Sequence, residues 1–207
     1  MPTVADLGRR LNSGRAGSTL PPLILMTDSE RLPDPLPVLP DLPRGSAVLL
    51  RHYGVPGRDE LAVRLRTATR RFGVRLLVGA DPRLAAAVGA DGVHWPEALV
   101  GRTLRCWRSW HRRRWLVTAA AHSLPAIHRA AAWGVDAVLL SPVFPTASHI
   151  GAIPLGPLKF AAWAGVSPVP LYALGGVSGS TVPRLAAAGA CGLAGIGFLA
   201  SQERSSA

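Results

Sequence analysis

The residues of this chain best suited to chemistry are a few of its histidines and two glycine-rich turns. His122 stands in Ala119-Ala120-Ala121-His122-Ser123-Leu124, just past an apolar run that reads as a strand. Imidazole is the side chain whose ordinary titration range spans neutrality, so at a strand end it can both take and return a proton. Gly175-Gly176-Val177-Ser178 and Gly195-Ile196-Gly197 follow two further apolar runs. Such turns let backbone N–H groups approach an anion, and a helix that starts there can face its N-terminus to phosphate. His94, in Gly92-Val93-His94-Trp95, alternates with its neighbours and is expected to point into the core. His149 lies in the segment Pro145-Thr146-Ala147-Ser148-His149-Ile150-Gly151, a loop suited to closing over a ligand. His52, His111 and His128 have no metal-ligand spacing with one another. Cys106 and Cys191 are too few for a four-thiolate zinc site or a disulfide framework.

These residues need a scaffold that brings strand ends together. Short apolar runs predict strands at Leu23–Thr27, Ala47–Arg51, Val74–Val78, Gly92–Trp95, Leu116–Ala120, Ala137–Ser141, Pro170–Leu174 and Gly192–Ile196. Helical stretches are expected between them at Arg58–Phe72, Pro82–Val88, Glu97–Arg113, Leu124–Trp133, Leu158–Ala164 and Ser180–Ala188, with Ser123 and Ser180 as N-caps. Continuous apolar strands alternating with helices imply a parallel sheet covered on both sides. The fold class is therefore α/β, read as a single small (β/α)8 barrel, with an open doubly wound sheet as the alternative. In a barrel, the two glycine turns fall after strands seven and eight, where phosphate is often held. One segment departs from the pattern. Residues 32–44 carry Pro33, Pro35, Pro37, Pro40 and Pro43, so an irregular or 3-10 connection is expected where the first helix would lie.

The chain has 207 residues, 48% hydrophobic and 17% charged, which favours one folded domain over disorder. Residues 1–20 are expected to be an N-terminal extension and residues 21–207 the barrel. No signal-peptide core or membrane-length run is evident, so a cytoplasmic protein without a membrane partner is expected. The net charge is +11, almost all of it from arginine, with Lys159 the only lysine. Arg102, Arg105, Arg108, Arg112, Arg113 and Arg114 interleave with Trp107, Trp110 and Trp115. Solvent-facing helix surfaces account for such a pattern, and no nucleic-acid motif accompanies it, so no nucleic-acid partner is expected. A positive surface still suits phosphorylated substrates.

From Leu23 to about Ala200 the chain resembles the thiamine-phosphate synthase and TenI superfamily. The resemblance is carried by Leu25-Met26-Thr27-Asp28, Gly89-Ala90-Asp91-Gly92-Val93-His94 and Ala121-His122-Ser123-Leu124. It is strongest in Ser141-Pro142-Val143-Phe144-Pro145-Thr146-Ala147-Ser148, Leu174-Gly175-Gly176-Val177 and Ala188-Gly189-Ala190-Cys191-Gly192. The resemblance implies a barrel and one of two activities. The synthase joins a pyrimidine pyrophosphate to a thiazole phosphate with Mg²⁺. The TenI tautomerase shifts a proton on a thiazole carboxylate phosphate without a metal, using a histidine that corresponds to His122.

Against the synthase pattern, Arg51 is retained, but Tyr53 stands for a lysine, Gly79-Ala80 for Asn-Asp, and Leu99 for a later aspartate. Ala120 replaces a serine, His149 a loop lysine, and Gly197 another serine. Mg²⁺ needs hard oxygen ligands, which Ala80 and Leu99 lack; Asp81 or Glu97 would have to substitute. The thiazole-phosphate half is better kept, in Thr146, Ser148, Gly175, Gly176, Ile196 and Gly197. The expected reading is thus a metal-independent tautomerase with His122 as acid/base and Arg51 among the substrate contacts. Thiamine-phosphate synthase, with Mg²⁺, and a silent phosphate-binding barrel are the alternatives. The resemblance allows a homo-oligomer, and the small-molecule partner is a phosphorylated thiazole.

Overall fold

Most strands of this protein are apolar along their whole length because both of their faces are buried. The computed structural model describes residues 19–102, 115–146, 151 and 153–196. In it, parallel strands close into a barrel in sequence order: β1 (Leu23–Met26), β2 (Ala47–Leu50), β3 (Arg75–Gly79), β4 (Gly92–Trp95), β5 (Leu116–Ala121), β6 (Ala137–Leu140), β7 (Leu171–Leu174) and β8 (Gly192–Gly195). β1 pairs with both β2 and β8, with Leu23 opposite Leu193, so the ring has no open edge. The (β/α)8 barrel is correct, and the open sheet is not.

Side chains alternate between two buried clusters. Ile24, Met26, Leu49, Leu77, Leu139 and Tyr172 belong to the inner one. Their outward neighbours Leu25, Leu50, Val78, Val93, Leu140 and Leu193 join a second cluster with the helices. The helices are α1 (Arg58–Phe72), α2 (Pro82–Val88), α3 (Leu124–Trp133), α4 (Gly156–Val166) and α5 (Val182–Ala187). Leu61 and Leu65 of α1, Ile127 of α3, Phe160 of α4 and Leu185 of α5 supply its outer layer.

Local sequence explains where these helices begin. Asp59 and Glu60 in the first turn of α1 and Arg70 and Arg71 in its last complement the helix dipole. Asp81 caps α2 by accepting the Leu84 N–H at 2.9 Å, and Ser123 caps α3 by accepting that of Ala126 at 3.3 Å. Ser180, by contrast, does not cap α5, which starts at Val182 after Thr181. The proline-rich run forms a 3-10 helix, η1 (Leu36–Asp41), with Pro40 inside it and Leu39 buried.

The helix expected over Glu97–Arg113 does not begin at Glu97. A single 3-10 turn, η2 (Glu97–Leu99), ends at Val100, whose backbone is extended, and Gly101 follows with φ +82°. The rest of that segment, with its interleaved arginines and tryptophans, lies outside the described residues, as do residues 1–18.

Part of the family-like sequence serves the lower rim of the barrel. Asp91 Oδ2 accepts the Leu76 N–H at 2.8 Å and pairs with Arg66 at 2.7 Å. Asp136 likewise accepts the Val117 N–H at 2.7 Å. Each aspartate ties its loop to the neighbouring strand, far from the strand ends where chemistry sits. Among the described residues no helix is long and apolar enough to cross a membrane.

Candidate active site

At the upper rim, β4 and β5 are neighbours, and the segments leaving them meet over their ends. His122 directly follows β5 and remains 43% exposed, while Glu97 reaches it from η2. One carboxylate oxygen of Glu97, Oε2, lies 2.7 Å from His122 Nδ1 and accepts the His122 backbone N–H at 2.9 Å. The other, Oε1, accepts from the Arg129 guanidinium of α3 at 3.2 Å. The sequence singled out His122. It left Glu97 as a substitute metal ligand and Arg129 unremarked, because a separation of 25 residues between His122 and Glu97 carries no periodic signal.

Across β2 and β3 the rim is basic and aromatic. The Arg51 N–H donates to Thr27 Oγ1 at 3.0 Å, and its guanidinium lies 6.0 Å from the Tyr53 ring centre. Arg58, at the start of α1, lies 5.6 Å from the same ring, donates to the Gly79 carbonyl and sits 3.6 Å from Asp81. Burial pushes the Tyr53 phenol up, although the two arginines oppose it. A side chain at residue 79 would place its Cβ 2.5 Å from the Tyr53 hydroxyl. Tyrosine in place of lysine and glycine in place of asparagine are thus one physical change, in which the ring occupies space the second side chain would need. Ala80 holds a left-handed φ of +59°, unusual for a residue with a Cβ.

Among the described residues, the rim carboxylates nearest the positions expected to hold Mg²⁺ already have partners. Ala80 and Leu99 have no side-chain oxygen. Asp81 is taken up by the α2 cap and Arg58, and Glu97 by His122 and Arg129. Among the described residues no three His, Cys, Asp or Glu side chains cluster as metal ligands would.

The glycine turn after β7 packs directly on the loop that leaves β6. Val143 N–H donates to Leu174 O at 2.9 Å and Phe144 N–H to Gly175 O at 3.1 Å. This joins Thr146, half-buried, to Gly175 and Gly176 at one part of the rim. Ile196 directly follows β8 and packs on the inner cluster. Ser148, His149 and Gly197 lie outside the described residues. Gly176 has φ +63°, and a Cβ there would stand 2.5 Å from Pro145 O and 2.6 Å from Phe144 Cβ. Gly176→Ala should therefore push the β6 loop off the turn and lower stability by about 1–3 kcal/mol, the cost of non-glycine strain of this kind. Urea denaturation midpoints of wild type and variant check this.

His94 sits inside the barrel as expected, 3% exposed, with Nδ1 2.9 Å from Thr118 Oγ1. Burial, aided by Arg51, pulls its pKa down to about 3, so it stays neutral. His52 ties loops together, with its ring nitrogens 2.8 Å from Thr27 Oγ1 and 3.2 Å from Pro33 O. A cavity of about 270 Å³ lies beside it, between the proline-rich segment and α1, and is lined by Pro33, Asp34, Val55, Arg58 and Arg64. Neither His122 nor the glycine turn borders this cavity.

Residues 44–199 match the family model described as thiamine monophosphate synthase. The chain is 40% identical over 154 residues to a thiamine-phosphate synthase of Methanoculleus marisnigri, covering 71% of this chain and 70% of that protein. It is 29% identical over 188 residues to a thiamine-phosphate synthase of Chlorobium luteolum, covering 88% and 87%. The solved structure of a thiamine phosphate pyrophosphorylase from Pyrococcus furiosus superposes with a TM-score of 0.71 at 23% identity, covering 86% of each chain. That likeness concerns the fold.

Proposed function

This chain belongs to the thiamine monophosphate synthase and TenI family, and we propose that it binds a thiazole phosphate and shifts a proton on it, without a metal. The observation that carries this reading is the pairing of His122 with Glu97. The carboxylate closest to hand for a cation is engaged in orienting an imidazole. A tautomerisation removes a proton from one ring atom of the substrate and returns it at another, so nothing is gained or lost. His122 takes that proton and gives it back. The phosphate sits at the Gly175–Gly176 turn with Thr146, where backbone N–H groups suit an anion. Arg51 and Arg58 provide positive charge on the opposite part of the rim, suited to a second anionic group such as a carboxylate.

A second reading, condensation of a pyrimidine pyrophosphate with a thiazole phosphate, is favoured by the names of the relatives. It would need cation ligands, and among the described residues Ala80 and Leu99 supply none. The two are separated by one pair of assays. Conversion of the non-aromatic thiazole carboxylate phosphate to its aromatic isomer, followed by NMR, is expected to proceed at the same rate with EDTA as with Mg²⁺. Formation of thiamine phosphate and pyrophosphate, dependent on Mg²⁺ and without isomerisation, would replace the first reading by the second.

A further inference from the structure

We propose that Glu97 is a positioning residue for His122, fixing the imidazole tautomer from which proton transfer starts. The inference deepens the reading above and rests on it for its kinetic part. It stands on three contacts. Glu97 Oε2 lies 2.7 Å from Nδ1 and 2.9 Å from the backbone nitrogen of the same histidine. An ionised carboxylate only accepts, so Nδ1 carries the proton and the lone pair falls on Nε2. Holding ring and backbone of one residue with one oxygen also restricts rotation about the Cα–Cβ bond. Arg129 then holds Oε1 at 3.2 Å, so that the carboxylate is fixed at both ends.

Each of the three comes from a different stretch of chain. Glu97 is on η2 after β4, His122 follows β5, and Arg129 lies on α3, which Ser123 starts one residue past the histidine. The barrel's neighbour order makes the first two meet. Pro96, extended at ψ 143°, turns the chain from β4 into η2. As substrate protonates Nε2, the imidazolium would face a carboxylate already in place, so no group has to reorganise during the transfer. The pair is open to solvent, with side-chain exposures of 43% and 26%. Ion pairs so exposed contribute little to folding. Its loss should show in turnover and in the tautomer, not in stability.

The test uses the full chain with ¹⁵N-labelled histidine, as wild type, E97Q and E97A. In ligand-free wild type, above the pH at which the ring is charged, the His122 resonances should report the Nδ1–H tautomer. E97A should give a mixture of tautomers, and E97Q should move part of the way, since an amide can donate as well as accept. In the isomerisation assay kcat should fall about 10- to 100-fold in E97A, by analogy with the range seen when a group orienting a metal-ligating histidine is lost, with KM for the thiazole phosphate little changed. An unaltered tautomer in both variants, or an altered tautomer with unaltered kcat, would overturn the proposal. If wild type itself does not isomerise the substrate, the preceding reading falls, and the resonances of E97A still decide whether Glu97 sets the tautomer. Matching denaturation midpoints for the three proteins separate positioning from a merely structural role.

Discussion

His122→Ala should slow the isomerisation by about 10²- to 10⁴-fold, the range that a positioned acid/base contributes. Affinity for the thiazole phosphate should stay close to that of wild type. The separation follows from the barrel. In the proposed mechanism the proton carrier hangs from β5, whereas the phosphate turn hangs from β7, and β6 stands between them in the ring. Removing the imidazole leaves the contacts among Val143, Phe144, Leu174 and Gly175 as they are. Stability should change little as well, because the ring is 43% exposed and its bond to Glu97 lies at the surface. Single-turnover NMR with calorimetry on the same preparation measures both quantities. A variant that isomerises at the wild-type rate would end the role of His122. One that loses phosphate binding to the same degree as turnover would make it a binding residue instead.

Gly92→Ala should cost about 3 kcal/mol or more, at or beyond the upper end of what overpacking a core usually costs. Gly92 opens β4 in register with Leu116 of β5. A Cβ on it would stand 1.9 Å from the Leu116 carbonyl oxygen, and 2.8 Å and 2.9 Å from its carbonyl carbon and nitrogen. Those are backbone atoms, so no rotamer change relieves the clash, and the two strands would have to separate where Leu116 N–H donates to Asp91 O at 2.9 Å. Gly165, inside α4, is the matched control, because a methyl group added there would meet nothing within 4 Å. Gly165→Ala should raise stability by up to about 1 kcal/mol through lower backbone entropy of the unfolded chain. Urea midpoints of the three proteins give both signs at once. Equal midpoints for Gly92→Ala and wild type would mean that β4 and β5 do not approach each other this closely.

Much of the fold is legible in the residues themselves. The bounds of α1, α2, α3 and β4 coincide with those read from the sequence. Each of the three helices ends on a glycine, and Asp81 and Ser123 cap α2 and α3. The strand ends differ by a residue or so, since nothing local marks where a parallel ladder stops. The expectation that a helix begins at Glu97 failed for a specific reason. Its residues are individually compatible with a helix, yet Val100 is extended and Gly101 takes a positive φ, so the chain leaves η2 after a single turn.

What the sequence by itself determined was the period of its strands, the Ser123 cap and the types of side chain at each strand end. Those suffice for a closed parallel barrel with His122 and two glycine turns on one rim, because local preferences and burial on both strand faces leave few other solutions. What only the tertiary structure decided was who meets whom on that rim. Glu97 faces His122, Asp81 is consumed by a helix cap and Arg58, and the Tyr53 ring takes the space above Gly79. Apart from the local Asp81 cap, these are contacts across about 25 residues of chain, fixed by which strands are neighbours in the ring. A carboxylate reads the same in sequence whether it binds a cation, caps a helix or holds an imidazole; its partners within hydrogen-bonding distance decide which.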